Sequence, residues 1–369
     1  MPISDDMARI FRLARKTEAS DIHIVAGLPP TFRINGEIIL ASAPPLSRDD
    51  TKRLVYSLLN EEQIKTFERD WQLCCSVFNE EFGRMRVSVY YHAANPELAI
   101  RMCNKEIKTR VQLALPEAVD RFTRFPSGLV LVTGPTGSGK TTTLNYMIDL
   151  INSERRCKII TIEDPIEFVH ERKKAIIIQQ ELYTDVKSFS SALIHVLRQN
   201  PDVICVGEMR DYETTATALI AAETGHLVIA TLHTPNSLQT MERIMSVFPA
   251  VQQPQVITQL ANCLRGIVAQ RLVPSADKTR RILACEVLII NTPARTHIRD
   301  YEFHQLVNVM QFGQREGMQS MDMCLMSLYE RGEITYDTAL TYCSDPKGFG
   351  RRHQTHPDDA GAPTTRDEG

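Results

Sequence analysis

Eight consecutive residues near the middle of the chain combine glycines, a lysine and hydroxyl side chains at a spacing that suits phosphate binding. Residues 134–141 read Gly-Pro-Thr-Gly-Ser-Gly-Lys-Thr and fit the pattern G-x-x-x-x-G-K-[ST]. The glycines let the backbone turn so that successive N–H groups point inward at a helix N-terminus. Lys140 would reach the β- and γ-phosphates, and the Thr141 hydroxyl would ligate Mg²⁺.

This segment follows an apolar run and opens an amphipathic helix, the setting that a phosphate loop requires. The alternative is a glycine-rich turn with no ligand. We therefore predict binding of ATP or GTP together with Mg²⁺. The predicted nucleotide-binding residues are Gly134, Pro135, Thr136, Gly137, Ser138, Gly139, Lys140, Thr141 and Thr142.

Two carboxylates stand where apolar strands should end. Glu208 follows the run 203–206, although Gly207 occupies a position where aspartate is common, and Glu163 ends the run 159–162. Hydrolysis needs groups that order the metal's water shell and orient the attacking water. Because parallel strands end along one sheet edge, both carboxylates are predicted to face the γ-phosphate. The alternatives are a strand cap for Glu208 and plain surface charge for Glu163.

Two histidines flank the apolar run 227–232. His233 follows the run and is a candidate sensor of the γ-phosphate, whereas His226 precedes it and is the weaker candidate. A lone histidine is more often structural than reactive. No supporting Cys or His spacing accompanies them, so a metal site here is not predicted.

The elements that must hold these residues alternate along the second part of the chain. Short apolar runs at 129–133, 159–162, 203–206 and 227–232 are separated by helical patterns. Such alternation predicts an α/β fold with a mostly parallel sheet and helices on both faces. Residues 274–278 are predicted to be a loop, and the chain from there to Tyr342 to be largely helical.

The first part of the chain is predicted to be a smaller α/β domain. It begins with an amphipathic helix, and later Asn35-Gly36 gives a strong hairpin signal. The predicted organisation is an N-terminal domain at 1–103, a linker and candidate hinge at 104–110, the ATPase domain at 111–343 and a disordered tail at 344–369.

Composition narrows the class of protein. The 369 residues carry a net charge of −3, so no overall basic field indicates nucleic acid or anionic lipid. We expect neither a signal peptide nor direct insertion into a membrane, because no apolar run approaches roughly 18 residues. The nine cysteines include no C-x-x-C pair and are predicted to be reduced, as in a cytoplasmic protein.

These motifs together closely resemble the type IV pilus retraction ATPases of twitching motility, which belong to the secretion-ATPase superfamily. The resemblance runs from near the N-terminus to about residue 342. Besides the phosphate loop, it is carried by the segments 19–23 (Ala-Ser-Asp-Ile-His), 27–30 (Gly-Leu-Pro-Pro), 162–167 (Ile-Glu-Asp-Pro-Ile-Glu), 207–211 (Gly-Glu-Met-Arg-Asp), 223–226 (Glu-Thr-Gly-His) and 233–234 (His-Thr).

The resemblance implies a RecA-like ATPase core, a PAS-like N-terminal domain and a helical C-terminal region. It also implies that Glu163 polarises the attacking water and that Glu208 acts at Mg²⁺ through water. In this family hexamers form, and arginines of the N-terminal domain reach a neighbour's γ-phosphate. Arg86 and Arg101 match those positions, although an arginine on a strand is usually a solvated side chain.

The implied function is a hexameric motor ATPase that drives pilus retraction at the cytoplasmic face of the membrane. Implied partners are further copies of this chain, an inner-membrane pilus platform protein and a second retraction ATPase. Extension and type II secretion ATPases carry a four-cysteine zinc insertion and a longer N-terminal region; neither is expected here, which favours retraction. The family's segment Ala-Ile-Arg-Asn-Leu-Ile-Arg-Glu, needed for retraction, is matched at 293–300 only by Arg295, Ile298 and Arg299.

Four other functions stay open. The chain could be an accessory retraction motor or an ATPase of a related secretion system. It could be a nucleotide-binding regulatory subunit with little turnover, against which the intact Lys140, Thr141, Glu163 and Glu208 argue. A nucleic-acid motor is disfavoured by the acidic balance of the chain.

Overall fold

A computed structural model describes residues 4–34, 36–102 and 107–354. The described chain forms two compact units. The first contains residues up to 107 together with 161–173 and 177–188, and the second contains 108–160, 174–176 and 189–354. The predicted linker at 104–110 lies partly outside the described residues, as does Asn35 of the predicted hairpin, and the domain boundaries stay predictions.

The first unit is built on a six-stranded sheet with the strand order β3-β2-β1-β6-β5-β4, in which the five neighbouring pairs are antiparallel. Its strands are β1 (Asp21–Ile24), β2 (Thr31–Ile34), β3 (Glu37–Leu40), β4 (Gln72–Asn79), β5 (Gly83–His92) and β6 (Asn95–Met102). Its helices are α1 (Asp5–Lys16), α2 (Arg48–Tyr56) and α3 (Glu61–Asp70).

Alternation of apolar and polar residues sets the two faces of this sheet, because successive strand side chains point to opposite sides. Met85, Val87 and Val89 of β5 are buried, and they pack in one core with Met7 and Phe11 of α1. The intervening residues of β5 keep polar side chains on the other face. That face carries the arginine side chains of this strand.

The second unit holds a seven-stranded sheet with the order β13-β12-β7-β11-β10-β8-β9. Its strands are β7 (Gly128–Thr133), β8 (Lys158–Glu163), β9 (Ile176–Glu181), β10 (Val203–Val206), β11 (Leu227–Leu232), β12 (Leu264–Pro274) and β13 (Arg281–Ile289). The C-terminal residues of β8 and β9 are counted with the first unit. The helices α4–α9 are Ala118–Thr123, Lys140–Glu154, Phe189–Val196, Tyr212–Glu223, Ser237–Ser246 and Gln253–Cys263.

The sheet is mostly parallel, which confirms the predicted fold class. Strand β11 pairs in parallel with β7 and β10, and β12 pairs in parallel with β7. Every residue of β7, β10 and β11 is buried, as expected for strands covered on both faces. Because these strands are covered on both faces, all of their side chains are buried, and this explains their uninterrupted apolar sequences.

The prediction of a largely helical chain after residue 278 was wrong for one segment. Residues 281–289 form β13, which pairs antiparallel with β12. A short apolar run fits a buried strand or a buried helix equally well, so periodicity alone does not separate them. Pairing with β12, whose ladder spans Gly266 to Pro274, decides for the strand.

Beyond β13 the chain is helical, as predicted. The elements are α10 (Thr292–Arg299), α11 (Leu306–Phe312), α12 (Met321–Glu330), α13 (Tyr336–Tyr342) and α14 (Pro346–Gln354), with short 3₁₀ helices at Phe303–Gln305 and Gly313–Glu316. Helix α14 lies inside the stretch predicted to be a disordered tail. Phe349 explains the difference, because its side chain is buried in one cluster with Val273 and Leu325. Residues 355–369 lie outside the described residues.

Candidate nucleotide-binding site

The glycine-rich loop connects a central buried strand to a long helix. Strand β7 ends at Thr133 and α5 begins at Lys140, so the loop occupies the C-terminal edge of the parallel strands. Gly134 and Gly139 have φ values of 143° and 91°, conformations that favour glycine. At Gly134 a Cβ atom would also collide with the Gln270 carbonyl oxygen, so the backbone path of the loop depends on glycine there.

Lys140 is buried and folds back onto the loop. Its Nζ donates to the carbonyl oxygens of Gly134 and Pro135, at 2.8 and 3.1 Å, and lies 3.3 Å from Nδ1 of His233. These acceptors match the three N–H bonds of the ammonium group. Burial lowers the pKa of Lys140, while the charge of Glu208 acts in the opposite direction. The cation is thus held inside the loop, where phosphate oxygens would be expected.

Glu208 and His233 come together beside this lysine. The Nε2 atom of His233 lies 3.3 Å from Oε2 of Glu208. Since Lys140 can only donate, Nδ1 of His233 must accept, which puts the imidazole proton on Nε2 facing Glu208. The three side chains form a chain of contacts from Lys140 to Glu208. As predicted, Glu208 and His233 follow the C-terminal ends of two parallel strands, β10 and β11, and this explains why their side chains are in contact.

Two hydroxyl groups of the loop are available to a phosphate or a metal. The Ser138 Oγ atom is buried and has no hydrogen-bond partner within the described chain, so a bound anion would satisfy it. Thr141 is half-buried in the first turn of α5, and its backbone oxygen accepts from Asn145 at 2.8 Å. The donor set therefore fits a phosphate group. Thr142, also half-buried, is the next residue of the helix.

Glu163 ends β8 and is described within the first unit. Its residue surface is only 3% exposed, and its Oε1 accepts hydrogen bonds from Thr161 Oγ1 at 2.6 Å and Gln179 Nε2 at 3.0 Å. Burial raises the pKa of this carboxyl, the two hydrogen bonds lower it, and the charges of Glu167 and Arg84 act in opposite directions. Burial is the largest of these effects.

Arg86 and Arg101 are neighbours on adjacent strands of the first unit. They pair across β5 and β6, and Arg101 also pairs with Asp21 of β1, to which its Nε donates at 3.1 Å. Both guanidinium charges act on Glu167 and partly offset the rise that burial causes in its pKa. Both arginines remain exposed. The two side chains form one basic patch on the polar face of the sheet.

The sequence analysis missed a buried ion pair in the first unit. Glu181 at the end of β9 contacts Arg84, and it accepts from Ser76 Oγ at 2.8 Å and from the Ile166 amide at 3.0 Å. No local pattern marks these residues, because they lie on separate segments. In the second unit the sequence analysis gave no role to Arg210, whose Nη2 lies 2.6 Å from Oε2 of Glu208.

A glycine-rich loop between a buried parallel strand and a helix, with its lysine beside a strand-end carboxylate, defines a P-loop nucleotide-binding ATPase. The chain belongs to the family described as Type II/IV secretion system protein, whose model matches residues 1–334. This confirms the family that the motifs indicated.

Individual relatives agree with this assignment. The chain is 39% identical over 345 residues to the type IV pilus retraction ATPase PilT of Pseudomonas aeruginosa, covering 93% of this chain and 100% of the relative. It is 40% identical over 338 residues to the type IV pilus ATPase PilU of the same organism, covering 91% and 88%. A crystal structure of the pilus retraction motor PilT with bound ADP matches with a TM-score of 0.88 at 44% identity, over 93% of this chain and 98% of that one.

Within the described ranges, no helix is both long enough and apolar enough to span a bilayer.

Proposed function

We propose that this chain is a motor ATPase that couples hydrolysis of Mg-ATP to retraction of a type IV pilus. The observation that carries the proposal is the similarity to the PilT retraction ATPase over 93% of this chain and all of that relative. The intact phosphate loop supports it, because a chain that had lost turnover would be free to lose Lys140 or the residues around it.

The residues of this chain divide the chemistry among them. The loop Gly134–Gly139 and the side chains of Lys140, Thr141 and Thr142 hold the phosphates, with Ser138 Oγ as an additional donor. Thr141 would ligate Mg²⁺ directly, and Glu208 would hold it through water. A bound Mg²⁺ would supply positive charge that offsets the negative charge developing on the transferred phosphoryl group.

Three further roles complete the proposed mechanism. Glu163 polarises the attacking water, for which its buried carboxylate is suited. His233 senses whether the γ-phosphate is present, by changing its contacts with Lys140 and Glu208. Arg86 and Arg101 act on the nucleotide of a neighbouring subunit, where a guanidinium fork stabilises charge on the phosphoryl group.

The role proposed for Arg86 and Arg101 requires a neighbouring subunit, and we propose a homohexamer. The motor works at the cytoplasmic face of the inner membrane through a pilus platform protein rather than by its own insertion. A second retraction ATPase is a further proposed partner, and nucleic acid is not. The segment 104–110 is the proposed hinge for the motion that follows hydrolysis.

A second candidate is an accessory motor that supports another retraction ATPase. The identity to the PilU pilus ATPase, 40%, is as high as that to PilT, 39%. The segment 293–300 departs from the retraction pattern as well. In α10 of this chain Ile298 is buried and Arg295 donates to the Ala261 carbonyl at 3.1 Å, so two of the matching residues serve packing of the helix itself.

The first test is steady-state hydrolysis of Mg-ATP by the purified chain over a range of protein concentrations. Lys140→Ala is the blank, because it removes the phosphate-binding cation. We expect specific activity to rise with concentration, and Arg86→Ala and Arg101→Ala to lose turnover while keeping nucleotide binding. Tight ATP binding with negligible turnover at every concentration would contradict an autonomous motor.

A cellular test separates the two candidates. The chain would be expressed in two strains of Pseudomonas aeruginosa, one lacking both PilT and PilU and one lacking PilU alone, and twitching would be measured. Twitching restored in the first strain supports a retraction motor that acts alone. Twitching restored only in the second strain, which keeps PilT, would indicate the accessory motor, and no restoration in either strain would contradict both candidates.

A further inference from the structure

The two hydrogen bonds to the Glu163 carboxylate reach the same oxygen atom. Thr161 Oγ1 donates to Oε1 at 2.6 Å, and Gln179 Nε2 donates to Oε1 at 3.0 Å. No other described residue donates a hydrogen bond to the carboxylate. Oε2 is therefore left for a ligand such as water, in a side chain that is otherwise buried.

The Gln179 side chain is itself fixed at both ends. Its Nε2 also donates to the Phe168 carbonyl oxygen at 2.8 Å, and its Oε1 accepts from the His170 amide at 3.0 Å. Because a backbone carbonyl and a backbone N–H occupy opposite ends of the amide, a flipped orientation would lose both bonds. The donor that faces Glu163 is thus set by the backbone of the segment 168–170.

Thr161 is equally constrained. It is fully buried on β8, two residues before Glu163, so the two side chains lie on the same side of the strand. Its hydroxyl donates along the strand to the carboxylate. The Glu163 backbone oxygen accepts from the Leu182 amide at 2.8 Å, which holds the residue from the other end.

The charges around Glu163 act on its pKa in opposite directions, so the hydrogen bonds from the neutral donors Thr161 and Gln179 matter for its ionisation. Burial and the negative charge of Glu167 both raise the pKa of Glu163, while the positive charge of Arg84 and the two hydrogen bonds lower it. A donor that stabilises the ionised carboxylate keeps it available as a base near neutral pH.

We propose that Thr161 and Gln179 are positioning residues for hydrolysis, which hold Oε1 of Glu163 so that Oε2 accepts the hydrogen bond of the attacking water. The inference rests on the proposed role of Glu163. It assigns an orientation to that carboxylate and names the side chains that set it.

The test uses the full-length chain and two variants that remove one donor each, Thr161→Val and Gln179→Met. For both we expect kcat to fall on the order of tenfold while KM for ATP changes little, because general-base efficiency depends on alignment and ionisation. The acid limb of the kcat–pH profile should move to higher pH, since a carboxylate with fewer donors is protonated more readily. Thr161→Ser, which keeps the hydroxyl, should restore the wild-type profile.

Gln180→Met is the matched control, because it makes the same change at the next position of β9 without touching the Glu163 carboxylate. ATP binding and secondary structure of each variant would be checked, so that misfolding is recognised. An acid limb that stays in place in Thr161→Val and Gln179→Met, or a Thr161→Ser variant as impaired as Thr161→Val, overturns the positioning role. Turnover that survives in Glu163→Gln would instead overturn the role of Glu163 itself.

Discussion

Removing the carboxylate of Glu181 should destabilise the first unit much more than its position at a strand end suggests. The side chain is 4% exposed and pairs with Arg84, which is 17% exposed. It also accepts from Ser76 Oγ, the Ile166 amide and Thr184 Oγ1. Glu181→Ala would leave the largely buried Arg84 guanidinium without its carboxylate partner and the Ile166 amide without its acceptor.

The expected loss follows from these contacts. Breaking a buried ion pair by deleting one partner costs about 3–5 kcal/mol, because the remaining charge is left uncompensated. An unpaired buried amide adds about 1–3 kcal/mol, although water that enters the space recovers part of both. We therefore expect the free energy of unfolding of the first unit to fall by about 4 kcal/mol.

Denaturant unfolding followed by Trp71 fluorescence measures this loss. Trp71 is the single tryptophan of the chain and belongs to the first unit, so its signal reports that unit. Glu81→Ala is the control, because Glu81 pairs with Arg12 at 2.8 Å where both side chains are more than half exposed. It should leave the transition nearly unchanged.

The double variant Glu181→Ala with Arg84→Met tests the reasoning further. Removing both charges should recover part of the stability, since no isolated charge remains buried. The argument is refuted if Glu181→Ala shifts the transition no more than Glu81→Ala does. It is also refuted if the double variant is less stable than the sum of the two single losses predicts.

Two further predictions concern the second unit. His233→Ala removes one acceptor of Lys140 and the Nε2–H that faces Glu208, so turnover should fall on the order of tenfold while ATP binding is retained. His195→Ala, on the exposed side of α6, is the control. Equal activity of the two variants would contradict the proposed role of His233. Burial raises the pKa of Glu286 in the folded chain above its unfolded value. Folding therefore favours its protonated form, and the stability contributed by this group rises as pH falls through its folded pKa toward its unfolded pKa. Glu286→Gln should lose that dependence in pH-resolved denaturation, and a slope identical to the wild type would show that another group causes it.

Several parts of this molecule could be predicted from local sequence because their chemistry is local. The phosphate loop needs a fixed spacing of glycines, lysine and threonine within one turn, so residues 134–141 alone indicate it. Apolar runs predict β7, β10 and β11 because strands covered on both faces must be apolar throughout. The carboxylates that follow such runs are found by the same reasoning.

Other features were ambiguous for an equally physical reason. The apolar run at 281–289 fits a helix or a strand, and its pairing with β12 decides the matter. Helix α14 lies in a polar stretch whose single anchor, Phe349, gains its stability from residues far away in sequence.

The class of site, the mostly parallel core and the family can be predicted from the amino-acid sequence, since each depends on residue types at short spacing. Which side chains contact one another depends on the folded chain. Arg84 and Glu181 are 97 positions apart, Ser76 and Glu181 are 105 apart, and Lys140 and His233 are 93 apart. Such pairs depend on strand order and on the packing of separate segments, which no local pattern of residues encodes.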